Sequence, residues 1–123
     1  MRFQKSIYSD GLLNLADVLV EKEKPILAMR YFNEAIKINP ENIGAWQKKA
    51  YLLSNLGRHK EVLKSYDEMS TNISWFKDEA IVEKAYHLEL IMNKPEEALK
   101  CFKEALELKP NYEEAQKLLK KIE

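Results

Sequence analysis

One cysteine, three glycines, four prolines and two histidines are all that 123 residues hold of these types, and each shortage excludes something. A lone thiol at Cys101 cannot close an intrachain disulfide, which removes the small secreted scaffolds that depend on such bonds. So few glycines and prolines do not suit a protein of many short strands and tight turns. Nowhere do about 18 apolar residues run uninterrupted, so no membrane-spanning helix is expected. Met1 to Ser6 is not followed by the apolar run of a signal peptide, and the expected location is the cytosol. Net charge is also missing, with 20 basic residues against 20 acidic ones. No overall field therefore draws the chain to nucleic acid or an anionic membrane. Only Arg2, Arg30 and Arg58 among the basic residues are arginine, and it is arginine that offers phosphate and guanine a bidentate fork.

What the chain has in quantity is apolar and charged residues, at 46% and 33%. That balance belongs to a soluble globular protein, and the length fits one domain or one short array. The apolar residues fall in a repeating frame. Ala28, Phe32, Ala35 and Pro40 return at identical spacing as Ala98, Phe102, Ala105 and Pro110, with Val62, Tyr66, Met69 and Ser74 as a weaker copy between. A second frame precedes each: Leu12-Leu15-Ala16-Leu19, then Trp46-Lys49-Ala50-Leu53, then Ile81-Lys84-Ala85-Leu88. Its alanines are 34 and then 35 residues apart. Steps of three and four place each frame on one face of a helix.

This pattern resembles the tetratricopeptide repeat, which pairs such a frame with Ala-x3-Phe and a closing proline. The resemblance runs from about residue 9 to the C-terminus and implies an all-α fold, a right-handed α-α superhelix of three helix pairs and a capping helix. The repeats are expected at about 9–42, 43–77 and 78–110, with the cap at 111–122, in one domain over 1–123. Seven helices are predicted, at about 8–23, 25–38, 42–56, 59–71, 76–92, 95–108 and 111–122. Small residues let helix axes approach, while Phe32, Tyr66 and Phe102 fill the space between neighbours. The last helix lines up Ala115, Leu118, Leu119 and Ile122 on one side, as a terminal cap needs. At the other end only Phe3, Ile7 and Tyr8 are available to extend the first helix and partly cover its open face. The middle unit departs from the pattern at Val62, Met69 and Ser74. One extra residue lies in Leu90–Pro95 and another at the junction Ile73–Lys77, where irregularity is expected.

Chemistry finds little support. His59 and His87 belong to no metal-ligand spacing, Cys101 has no cysteine partner, and no glycine-rich loop follows a strand. The acidic pairs Glu96-Glu97 and Glu113-Glu114 fall in first turns of helices, where the helix dipole favours carboxylates. Neither catalysis, a metal nor a cofactor is expected.

The resemblance implies instead that first helices line a concave, peptide-binding groove. Carried onto this sequence, its candidates are Leu13, Asp17, Val20, Gln47, Lys48, Tyr51, Asn55, Glu79, Val82, Glu83, Tyr86 and Glu89, flanked by Asp10, Glu21, Ser54 and Leu90. One branch of the family grips the C-terminal carboxylate of heat-shock chaperones with a lysine- and asparagine-rich clamp. The matching positions here, Leu13, Asp17, Lys48, Glu79 and Glu83, keep only one base, so that role is not expected. The expected partner is another protein, presenting a peptide or helix with apolar anchors and basic flanks. The alternative is an RNA-binding helical repeat, which an acidic groove disfavours. Self-association through the first repeat or through Trp75 and Phe76 is a further possibility, those two aromatics serving either as a wedge in the turn or as an exposed patch.

Overall fold

The computed structural model describes residues 2–122, with side chains described for 3–121. Among the described residues there are seven α-helices and no strand: α1 (Arg2–Glu21), α2 (Pro25–Ile38), α3 (Ile43–Asn55), α4 (His59–Asn72), α5 (Lys77–Tyr86), α6 (Pro95–Leu108) and α7 (Glu113–Ile122). A 3-10 turn, Ser74–Phe76, leads into α5, and a π-helical turn, His87–Ile91, continues from it.

The repeated sequence produces repeated turns. After α1, α3 and the π turn, the carbonyls of Leu19, Leu53 and Leu88 accept from the N–H groups of Lys24, Arg58 and Lys94 at 2.9, 2.9 and 2.8 Å. The residue before each donor is left-handed, with φ of 59° at Glu23, 75° at Gly57 and 54° at Asn93. Such a residue closes a helix and reverses the chain. Pro25 and Pro95 then open α2 and α6, where a missing N–H is harmless. A different turn follows each second helix. The N–H groups of Asn39, Ile73 and Lys109 reach back to Ala35, Met69 and Ala105, and those of Asn42, Phe76 and Tyr112 bond the carbonyls of Asn39, Ile73 and Lys109. Ser74, standing where the other repeats have proline, does not prevent this turn.

The extra residue of the third repeat lies inside a helix rather than in the loop. Leu88 to Lys94 spans one residue more than Leu19 to Lys24, yet the closing hydrogen bond is the same. The surplus is absorbed by widening one turn to i→i+5 bonding, seen as Met92 N–H to His87 carbonyl at 3.1 Å. The predicted helix 76–92 is therefore α-helical only from Lys77 to Tyr86. The second irregularity, at 73–77, takes the form of the 3-10 turn.

The chain forms two compact units, one ending at Ser65 and the other beginning at Tyr66, so that α4 contributes to both. In the first, α1 packs on α2 and α2 on α3. Its core gathers Ala16, Leu19, Ala28, Phe32 and Leu52, with Leu13, Leu27, Met29 and Tyr31 against it. The indole of Trp46 is buried and donates to the Pro40 carbonyl at 2.8 Å. In the second unit α5 packs on α6 and α6 on α7. There Ala85, Leu88, Ala98, Phe102, Ala105 and Ala115 are buried. Gln116 repeats the Trp46 bond by donating to the Pro110 carbonyl at 2.8 Å. Burying a phenylalanine such as Phe32 or Phe102 stabilises by about 2–3 kcal/mol. Alanines facing them let the helices close to that distance.

Two expectations need correction. Phe3, Ile7 and Tyr8 do extend α1, but all three are exposed, Phe3 at 76%. That side of α1 has no neighbour among the described residues to bury them. Trp75 and Phe76 do not act together: Phe76 is 6% exposed and wedges the 3-10 turn, whereas Trp75 is 65% exposed. Their rings meet edge to face at 6.0 Å. In the cap, Ala115 is buried and Leu118 and Leu119 are half-buried; the Ile122 side chain lies outside the described residues.

Candidate functional site

The candidate residues of the first unit come from α1 and α3. Leu13 packs against the core and so close to Gly44 that a Cβ there would meet Leu13 Cδ2 at 3.2 Å. Leu13 is thus largely structural. Lys48 on α3 forms an ion pair and hydrogen bond with Asp17 on α1. Asp10 accepts from the Asn42 side-chain amide at 3.1 Å. Two of this face's acids are therefore already engaged by the protein itself. Val20, Gln47, Lys48, Tyr51 and Asn55 are exposed, with Tyr51 at 71%. The surface is a mixed one, its charges internally balanced around a projecting phenol.

The second unit is different. Glu79 on α5 is exposed, and Glu83, Tyr86 and Glu89 are half-buried. Val82 is 2% exposed. As a correction to the sequence reading, Val82 belongs to the core and cannot line an open groove, because its side of α5 turns into the helix packing. Tyr86 donates its hydroxyl to a Glu114 carboxylate on α7 and stands edge to face against Phe102 at 6.0 Å and 87°. Burial, reinforced by that carboxylate and by Tyr112 and Glu89, pushes the Tyr86 phenol up to about 12. Tyr112, with Lys109 Nζ 4.9 Å above its ring, is also raised to about 12, by burial first and then by Glu114, Glu79, Asp78 and Glu83. Tyr66 reaches about 12 through burial and the charge of Glu83. Burial is the leading cause for all three phenols, and carboxylates of α5, the π turn and α7 add to it.

Sequence reasoning overlooked Asp78, Tyr112 and Glu114 as members of this face. Glu114 was read only as a helix-dipole partner, and Tyr112 fell within the predicted capping helix 111–122 without a role. The available signal was the presence of a fourth first-type helix: α7 stands to α6 as α3 stands to α2, so its residues join the same kind of surface.

The nucleophile and ligand candidates have ordinary settings. Cys101 is buried beside Phe102, and burial pushes its thiol above the usual value despite the lowering effect of Lys84. Lys84 donates to Asp67 at 2.8 Å. Burial pulls its ammonium down, but the bond to Asp67 and the nearby acids outweigh that and leave its pKa raised. His87 is buried in the π turn. Among the described residues no three His, Cys, Asp or Glu side chains are grouped as metal ligands would be, and no helix is long and apolar enough to cross a membrane.

Comparison with known proteins places this geometry. Family models described as tetratricopeptide repeat match residues 9–42, 31–64 and 79–112. No curated protein matches the sequence. Among solved structures, the N-terminal domain of stress-induced protein-1 (STI-1) from C. elegans is similar with a TM-score of 0.75 at 14% identity, covering 96% of each chain. The first such repeat domain of Spaghetti (RPAP3), bound to the HSP90 peptide SRMEEVD, gives 0.64 at 21% identity over 97% of this chain and 90% of its own. The second domain of human RPAP3, in complex with the HSP70 peptide SGPTIEEVD, gives 0.65 at 16% over 99% and 98%. At these identities the likeness shows a shared fold.

Proposed function

Because this chain belongs to the tetratricopeptide-repeat family, we propose that it is a non-catalytic protein-interaction scaffold that binds a peptide or helix of another protein, in the cytosol. In the second unit the ligand would meet Glu79, Glu83 and Tyr86 of α5 and Glu89 of the π turn with Glu114 of α7. In the first it would meet Val20, Gln47, Tyr51 and Asn55. The charge preference is supported by the negative field of exposed Glu79 and Glu114 with half-buried Asp78, Glu83 and Glu89, carried on α5, the π turn and α7. Such a field selects basic flanks, and the aromatic side chains offer rigid area for apolar anchors. The peptides bound by the RPAP3 domains contain adjacent glutamates before a terminal Val-Asp. A ligand of that charge would meet repulsion at the second unit, and its affinity here should be low. The same field opposes the phosphates of RNA, the less favoured reading.

Titration with lysine-rich and glutamate-rich peptides at two salt concentrations tests the proposal. Binding of the lysine-rich peptide alone, weakened by salt, is the expected result. Equal binding of both, or of neither, rejects the charge preference, and tight low-salt retention of RNA would favour the other reading. Lys48→Ala adds a second check. It releases Asp17, makes the first unit's face more negative, and should tighten the lysine-rich peptide without altering the fold.

A further inference from the structure

α1 leaves an apolar face uncovered. Phe3, Ile7, Gly11 and Leu15 follow one another at steps of four, with Tyr8 and Val18 beside them, and all six are exposed. The repeat shows that this is a packing surface by design. Gly11 corresponds to Ala45, Ala80 and Ala115 at successive spacings of 34, 35 and 35 residues, and those three alanines are 0% exposed. In α3 and α7 that face lies against the preceding second helix, α2 or α6. In α1 a Cβ built on Gly11 meets nothing within 4 Å.

We propose that a second copy of this chain covers the face, through antiparallel pairing of α1 with α1 about a two-fold axis near Gly11. Two observations favour this occupant. The ridge is self-complementary: reversed about Gly11, Ile7 comes opposite Leu15, and ridges of four-residue step interlock with one another. The smallest side chain stands at the crossing point, where two helix axes must approach most closely. The exposed apolar surface amounts to roughly 500 Å² per copy, so a pair would bury about 1,000 Å², the lower bound for a specific interface. A weak, concentration-dependent dimer is the expected state, and two-fold pairing closes it at two chains.

Sedimentation equilibrium over a wide range of concentration reads this directly. The wild-type mass should rise from one chain to two and stop there. Ile7→Glu and Leu15→Glu should remain at one chain throughout while keeping the wild-type helical circular dichroism, since both side chains are exposed in the monomer. Gly11→Cys should cross-link to itself under mild oxidation, because facing Cα atoms at such a crossing fall within disulfide reach. A wild-type mass of one chain at every concentration, growth beyond two, undiminished association of both glutamate variants, or failure of Gly11→Cys to cross-link would each overturn the proposal. Lysine-peptide titration of Ile7→Glu should match wild type, so loss of the dimer and loss of peptide binding remain separate results.

Discussion

The side-chain amide of Asn42 donates to the hydroxyl of Ser9 at 2.8 Å, although 33 residues separate them and both are buried. Ser9 in turn donates to the Ala35 carbonyl at 2.7 Å, and the Asn42 side-chain oxygen accepts from the Ala45 N–H at 3.2 Å as the N-cap of α3. One short polar chain thus ties the middle of α1 to the end of α2 and the start of α3.

Asn42→Ala removes a helix cap and leaves the buried Ser9 hydroxyl without one of its two partners. The expected loss is about 2–3 kcal/mol, from the cap and the broken buried bond together. Urea unfolding measures it. In a double-mutant cycle with Ser9→Ala the two effects should fall short of additivity, because they share one interaction.

The left-handed residues give opposite expectations at equivalent places. Gly57→Ala meets no steric neighbour but must hold φ at 75°, and should destabilise by about 1 kcal/mol. Glu23→Gly relieves the same conformation at φ 59° and should be neutral to stabilising by up to about 1 kcal/mol. The thermal midpoint should fall for Gly57→Ala and hold or rise for Glu23→Gly.

Alkali should unfold the protein early. Tyr66, Tyr86 and Tyr112 are each raised from 10.0 to about 12 in the folded state. A raised phenol keeps its proton in the fold and loses it first when unfolded. The stability linked to these groups is therefore complete below pH 10 and is lost as pH rises from 10 toward 12. Phenolate absorbance should show a late, cooperative class of tyrosines that titrate with unfolding. Tyr86→Phe should reduce the pH dependence in that window.

Deleting Ile91 tests the account of the π turn. The residue is exposed, and its removal restores between Ala85 and Ala98 the 12-residue spacing found between Ala16 and Ala28. The shortened chain should fold with regular α-helix up to the turn and match wild-type stability within about 1 kcal/mol. Severe destabilisation would mean that the wider turn is required by its surroundings.

The repeat frame could be read before any coordinates because it is local. Alanine, leucine and phenylalanine at steps of three and four determine which side of each helix is buried, and proline or a left-handed residue marks where each helix stops. The location of the third repeat's extra residue could not be read. A loop insertion and a π turn have the same sequence length, and the choice depends on keeping both Leu88 and Phe102 buried while the Lys94 N–H still reaches the Leu88 carbonyl. The candidate surface divided in the same way. A helical wheel carries α5 residues to one side, but it does not reveal that Val82 is sealed in the core.

By itself, then, the sequence determined the helices, their order, the alanine contacts and the family. The pairing of Lys48 with Asp17, the bond from Tyr86 to Glu114, the split between Phe76 and Trp75, and the bareness of α1 were decided only in three dimensions. Periodicity along a chain specifies which face of a helix is apolar. Whether that face is covered, and which charges across it are already neutralised, depends on side chains 28 to 31 residues away that meet only once the helices have packed.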